Sequence, residues 1–184
     1  MNPLTITGQV MGFIAMALIV LSFQFKESRK LFLMQVGSCL FFTLHFLFLG
    51  LGGDSSAYSG MAQNVLGLVF RVIILAGTKY PKIKNPVTMS LIAAAMAIVA
   101  VLTYTGNFIE LLPVLGNFVC LGSQWTCDPN TIRICQLFCV SPCWLTYDAV
   151  LFSISGILVE TFNIISIIVY YIRMRVKKGR MSDG

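Results

Sequence analysis

Seven hydrophobic runs separated by short polar breaks make up this chain, at about 5–24, 30–50, 57–77, 86–104, 107–124, 131–149 and 154–173. A helix needs about 20 apolar residues, at roughly 1.5 Å rise each, to cross about 30 Å of hydrocarbon. Backbone groups in lipid must be satisfied within the segment, so each run predicts a transmembrane α-helix. The short alternating segments of a β-barrel are absent. The fifth run is the least apolar, holding Glu110, Pro113, Gly116 and Asn117. The fourth, Pro86 to Tyr104, has no ionisable side chain, and small residues fill its centre (Ala93, Ala94, Ala95, Ala97, Ala100). Three runs precede it and three follow.

The flanking triplets can be laid over each other. Val10-Met11-Gly12 opens one and Val114-Leu115-Gly116 the other; Arg29 follows the first glycine by seventeen residues, and Arg133 follows the second by seventeen. An aromatic and a polar ring then share a helical turn, Phe42 with His45 and Trp144 with Tyr147. Asn64 and Asn163 fall near mid-span in the third helix of each copy. Two odd-numbered triplets joined directly would be antiparallel, and one linker helix restores a parallel pair. The expected fold is an all-α membrane protein with seven transmembrane helices. They form two parallel three-helix repeats (5–77 and 107–173) joined by an inversion linker helix (86–104), with a basic cytoplasmic tail (174–184), in a single integral membrane domain.

Composition agrees with immersion in lipid. The 184 residues are 57% hydrophobic and 11% charged, with a mean hydropathy of +0.85, where a soluble domain carries about 25% charged residues. The net charge of +6 reports topology rather than nucleic-acid binding, because Lys and Arg cluster at helix ends and form no basic stripe. All thirteen fall on one side of the seven-helix arrangement, twelve after the first, third, fifth and seventh runs and Arg71 two turns inside the end of the third. The positive-inside rule then puts the N-terminus outside and the C-terminus in the cytoplasm. MNPLTITGQ lacks the basic region of a cleavable leader, so the first run is expected to stay as a helix. None of the six cysteines falls in an outer loop, which argues against a disulfide framework.

The 3+1+3 plan resembles the SWEET and PQ-loop transporters, and also the nicotinamide riboside transporters. The proline-glutamine dipeptide is missing: the first span ends Ser22-Phe23-Gln24, and intramembrane prolines occur only as Pro113 and Pro142 in the second copy. A second resemblance covers nearly the whole chain. Ser22-Phe23-Gln24 with Lys26, His45 with Leu49-Gly50, and Glu110-Leu111-Leu112-Pro113 with Gly116 are similar to the YgjV-type bacterial inner-membrane proteins. So are Arg133, Trp144 with Tyr147, Ser153 with Gly156, and Glu160. Asp148 stands where that family would have Asn, and three extra residues separate His45 from Asn64. This resemblance implies an inner-membrane location and leaves the activity open.

Several residues have a chemical and a plainer reading. Asn64 and Asn163, with Gln63 beside the first, could donate and accept hydrogen bonds to a solute's hydroxyls; the SWEET-like plan implies such a pair flanking the substrate. The plainer reading is an interhelical tie worth about 0.6 kcal/mol. Phe42 and Trp144 could wall a sugar or base ring, whereas Tyr147 suits the interfacial aromatic belt. Glu160 and His45 are candidates for proton or cation coupling, against structural roles for both; for Glu110 the structural tie is preferred. Arg71, two turns inside its helix end, is read as snorkelling to the cytoplasmic interface rather than holding a substrate phosphate. Pro113 and Pro142 are candidate hinges. Cys135, Cys139 and Cys143 share a helical face, but no histidine or acid stands at ligand spacing, so no metal site is expected.

No GxSxG elbow, HExxH, Walker loop or close acidic pair is present, so no enzymatic activity and no cofactor are expected. The leading expectation is a transporter of a small, uncharged or weakly charged, hydroxyl-bearing solute of the sugar or nucleoside class, working by alternating access. The alternatives are a non-transporting membrane protein that binds a protein partner, and a proton or cation path through Glu160 and His45. The expected partners are the lipid bilayer and a small solute, with no nucleic acid; self-association stays open.

Overall fold

The computed structural model describes residues 2–22, 28–126 and 128–182, and all its regular structure is helical. Phe23, Gln24, Lys26 and Cys127 lie outside the described residues. The helices are α1 (Pro3–Ser22), α2 (Ser28–Leu51), α3 (Ala57–Lys79), α4 (Pro86–Thr103), α5 (Leu111–Thr126), α6 (Pro129–Cys135), α7 (Ser141–Val150) and α8 (Ile154–Ser182). Among the described residues, six stretches are long and apolar enough to cross a membrane: Pro3–Leu21, Leu33–Leu51, Ala57–Gly77, Pro86–Thr103, Phe108–Thr126 and Ile154–Arg175.

The expected span at 131–149 is not one regular helix. A π turn, Gln136–Val140, sits between α6 and α7, and the three pieces run on without a break. The turn closes with the Ser141 N–H donating to the Gln136 carbonyl. The next residue, Pro142, has no N–H to continue the ladder, which accounts for a widened turn at this place. Pro113 lies in the first turn of α5. A missing N–H costs nothing there, so this proline starts its helix rather than interrupting it. Within the segment expected as a basic cytoplasmic tail (174–184), α8 continues as far as Ser182.

Helix starts follow local chemistry. The Asn85 side chain accepts from the Thr88 N–H at 2.9 Å, with Pro86 opening α4. Asp128 accepts from Thr131 N–H at 2.7 Å and from its hydroxyl at 2.6 Å, with Pro129 opening α6. Each cap satisfies a donor that the first helical turn leaves free.

In packing, α2 lies between α1 and α3, and the α6–α7 run joins α5 to α8. Contacts of α3 with α5 and of α8 with α1 close a ring of six rods; α4 packs outside it, against α3 and α5. Only Ile92 and Met96 of α4 are buried. Its Val87, Leu91, Ile98, Val101 and Leu102 face outward, as an apolar surface in lipid should. Lipid tails supply no hydrophobic drive between helices, so close approach and hydrogen bonds must hold the ring. Two glycines permit that approach. A Cβ on Gly12 of α1 would run into the Ser155 hydroxyl of α8 and come within 2.8 Å of His45 Nδ1. A Cβ on Gly116 of α5 would lie 3.1 Å from the Trp144 ring. The core between the rods includes Phe42, Phe46, Phe70, Leu121, Trp144 and Tyr147.

Candidate functional site

A cavity of about 470 Å³ lies inside the ring, within the range of small-molecule sites. All six rods line it and α4 does not. The lining comprises Ile19 of α1; Gln35, Cys39, Phe42 and Phe46 of α2; Gln63, Asn64, Gly67 and Arg71 of α3; and Asn117, Cys120 and Gln124 of α5. Ile132, Arg133, Gln136, Val140, Trp144 and Asp148 follow from the α6–α7 run, and α8 adds Gly156, Val159, Glu160, Asn163, Ser166, Ile167 and Tyr170.

Glu160 sits at the level of the π turn. Its Oε2 accepts from the Ser141 hydroxyl at 2.5 Å, from Asn163 Nδ2 at 3.4 Å and from Gln136 Nε2 at 3.5 Å. Gln136 Nε2 also donates to the Ser141 hydroxyl at 2.9 Å. The widened turn thus supplies two of the three donors on this carboxylate. Across the cavity, Asn117 Nδ2 donates to the Gln63 backbone carbonyl at 2.6 Å and to Gln63 Oε1 at 3.4 Å. Gln63 Nε2 and Asp148 Oδ1, both fully buried, have no hydrogen-bond partner among the described residues. A buried polar atom without a partner costs about 1–3 kcal/mol. Both atoms belong to residues of the cavity lining.

Arg71 does not snorkel. Its guanidinium turns back over Gly67, where a Cβ would lie 2.9 Å from Nη1, and so points away from the nearer end of α3. Nη1 donates to Cys39 Sγ at 3.3 Å and Nη2 to Cys120 Sγ at 3.8 Å, and the Phe70 ring lies 5.0 Å from its central carbon. A glycine one turn back and thiols from two neighbouring helices hold the cation in the cavity wall instead of letting it reach the interface. Arg133, nearer the same end, stacks on Tyr170 at 4.0 Å.

The two ends of the cavity differ. Towards the basic end the lining continues to Gln35 of α2, Gln124 in the last turn of α5, Arg133 of α6 and Tyr170 of α8. At the other end it stops at Phe46, Gln63, Asp148 and Gly156, and hydrogen bonds between rods close the space beyond. The Tyr147 hydroxyl donates to the Ser56 carbonyl at 2.6 Å and accepts from the Gly60 N–H at 2.9 Å. It is therefore inserted into the first hydrogen-bonded turn of α3. His45 Nδ1 donates to the Gly8 carbonyl at 2.7 Å, and its Nε2 meets the Ser153 hydroxyl at 2.8 Å at the start of α8. Gln9 donates to the Phe152 carbonyl at 2.8 Å and accepts from the Ile154 N–H at 3.2 Å. Glu110 accepts from the Thr105 N–H at 2.7 Å and from the Thr105 hydroxyl.

The structure therefore brings Asn64, Asn163, Gln63, Phe42, Trp144 and Glu160 into one lining and leaves His45, Pro113 and Pro142 out of it. Asn64 Nδ2 donates back to the Gly60 carbonyl at 3.0 Å. Tyr147, expected in an interfacial belt, is fully buried. Asn117, Gln136 and Asp148 escaped the sequence reading as site residues. Their signal was a polar stripe: Asn117, Cys120 and Gln124 on one face of α5, and Gln136, Val140, Trp144 and Asp148 at every fourth residue. Cys139 and Cys143 lie outside the lining, and no group of three His, Cys, Asp or Glu side chains among the described residues could hold a metal.

No curated protein and no solved structure matches this chain significantly. A family model for Imp-YgjV, described as a bacterial inner membrane protein, matches residues 6–178. With several membrane-spanning helices and a match over nearly its whole length, the chain belongs to the Imp-YgjV family of bacterial inner membrane proteins.

Proposed function

We propose that the chain is a carrier, not an enzyme, which moves a small, uncharged or weakly charged, hydroxyl-bearing solute of the sugar or nucleoside class by alternating access. One observation carries this reading: a cavity walled by all six rods, lined by amides and aromatic rings, tied shut at one end and extending towards the basic end at the other. Asn64, Asn163 and Gln63 would hold hydroxyls, Phe42 and Trp144 would face the ring, and Glu160 would accept or release a coupling proton. His45 would act at the closed end, outside the solute's path.

Matched jobs in the two halves support a pair of parallel, SWEET-like repeats about the α4 linker. Each middle helix joins its outer neighbours, and α3 meets α5 as α8 meets α1. His45 of α2 reaches the start of α8, while Tyr147 of α7 reaches the start of α3. These two residues occupy equivalent places in the overlaid copies. With the basic ends in the cytoplasm, the arrangement corresponds to the inward-facing state of the cycle, with the N-terminus outside.

The test is uptake by proteoliposomes from a panel of sugars and nucleosides. Asn64→Ala and Asn163→Ala should each lower uptake of the accepted solute at least tenfold while the protein still inserts. Uptake unchanged in both variants would remove these residues from the pocket. A flat panel combined with cross-linking of one defined protein through α4 would move the assignment to a partner-binding protein.

A further inference from the structure

We infer that the solute carries an oxyanion, a carboxylate or phosphate group, and that Arg71 is the residue that receives it. This rests on the carrier reading above and narrows it to the acidic members of the sugar or nucleoside class, in place of the uncharged ones. Arg71 is a permanent cation two turns inside a membrane span, where charged side chains are rare and usually meet an opposite charge. Among the described residues no carboxylate stands within ion-pair distance of it; its hydrogen bonds go to two thiols, Cys39 and Cys120. Thiols are weak acceptors. They orient a guanidinium without neutralising it, and leave its strong fork available for a bidentate acid. Glu160 of the same wall interacts with Arg71 electrostatically without pairing to it directly, and its carboxylate already accepts from Ser141, Asn163 and Gln136.

The cavity also accounts for how Arg71 is held. Gly67 leaves the space into which the guanidinium folds back, and a side chain there would force Nη1 to shift. At the closed end, Gln63 Nε2 is an unpartnered donor and Asp148 Oδ1 an unpartnered acceptor, both on residues of the same lining. The solute is therefore polar at both ends. Its neutral end, bearing hydroxyl or amino hydrogens, would meet Gln63 and Asp148, and its acidic end would meet Arg71 towards the basic face.

The experiment uses the full chain in a phosphate-free detergent and follows Trp fluorescence and thermal stability, since Trp144 lies in the lining. The probes are matched sets: a hexose, its uronate and its 6-phosphate; a nucleoside and its monophosphate; and inorganic phosphate alone. The expected result is that one acidic member binds at least tenfold more tightly than its neutral parent, the scale of one charge-assisted hydrogen bond. Arg71→Gln should level that pair, Arg71→Lys should keep part of the preference, and Gly67→Ala should weaken it with the charge intact. The uronate and phosphate arms decide which oxyanion is held. If neutral parents bind as well as their acids in the unaltered protein, the oxyanion site is overturned and the carrier reading stands. If no probe binds at all, both are overturned. Because the comparison within each set needs no variant, failure of Arg71→Gln to fold would not spoil it.

Discussion

At the scale of single residues, small side chains and short hydrogen bonds decide what the ring can be. Gly12→Ala would drive a methyl into Ser155 and His45, and overpacking of this kind costs about 1–3 kcal/mol. The expected outcome is a clearly lowered unfolding midpoint in detergent. Two loop aspartates should give opposite acid responses. Burial, more than the Glu110 charge, raises Asp54 above the ordinary carboxylate range, against the lowering effect of the Ser56 N–H. The folded chain then holds a proton that the unfolded chain has lost, so Asp54 lowers stability as pH rises through the window above its ordinary value. The Thr131 hydroxyl and N–H hold Asp128 below that range. Its contribution is present above the ordinary value and lost as pH falls through the depressed one. Midpoints measured from pH 3 to 7 should show Asp54→Asn removing the first slope and Asp128→Asn the second. Depth along a span was legible at this scale, because residues simply count from the helix end. The direction of a side chain was not: Arg71 and Tyr147 were placed at about the right height and turned the wrong way. What turned them, Gly67 beside one and the start of α3 beside the other, comes from packing that spacing does not encode.

At the scale of elements, six expected spans agree with helices to within a few residues at most ends, because length, apolarity and the lipid's demand for internal hydrogen bonding leave little choice. The run at 131–149 departs because Pro142 interrupts it, and the sequence suggested bending there without showing a π turn. Pro142→Ala restores the missing donor and should let the run regularise. Gln136 and Ser141 would then rotate off Glu160. Stability should be unchanged or raised while solute binding weakens at least tenfold, as read by the same fluorescence titration. The tie from α7 to α3 should behave differently. Tyr147→Phe removes a hydroxyl whose two partners, Ser56 and Gly60, can bond each other, so the cost should be only about 0.5–1.5 kcal/mol. The closed end should nonetheless loosen. In a background without native cysteines, Asn64→Cys should then react faster with a membrane-impermeant thiol reagent added from the side of the uncharged loops.

At the scale of the whole molecule, the distribution of Lys and Arg predicts orientation: a green fluorescent protein fused to the C-terminus should fluoresce, and one that stays dark would reverse the assignment. The overlay of the two triplets was visible in a handful of spacings, yet the six-rod ring was not, because no pattern within one helix states which neighbour it will meet. The position of α4 has a mechanical consequence. It splints the seam between α3 and α5, and among the described residues no helix covers the opposite seam, α1 against α8, in the same way. A hexagon of rods braced along one edge parts along the other, as a book turns on its spine. The unbraced edge is fastened near one end by Gln9, Gly12 and His45 against Phe152, Ser153 and Ser155. In a carrier of the proposed kind, those few contacts, rather than the broad apolar core, would set the work needed to swing the two covers apart.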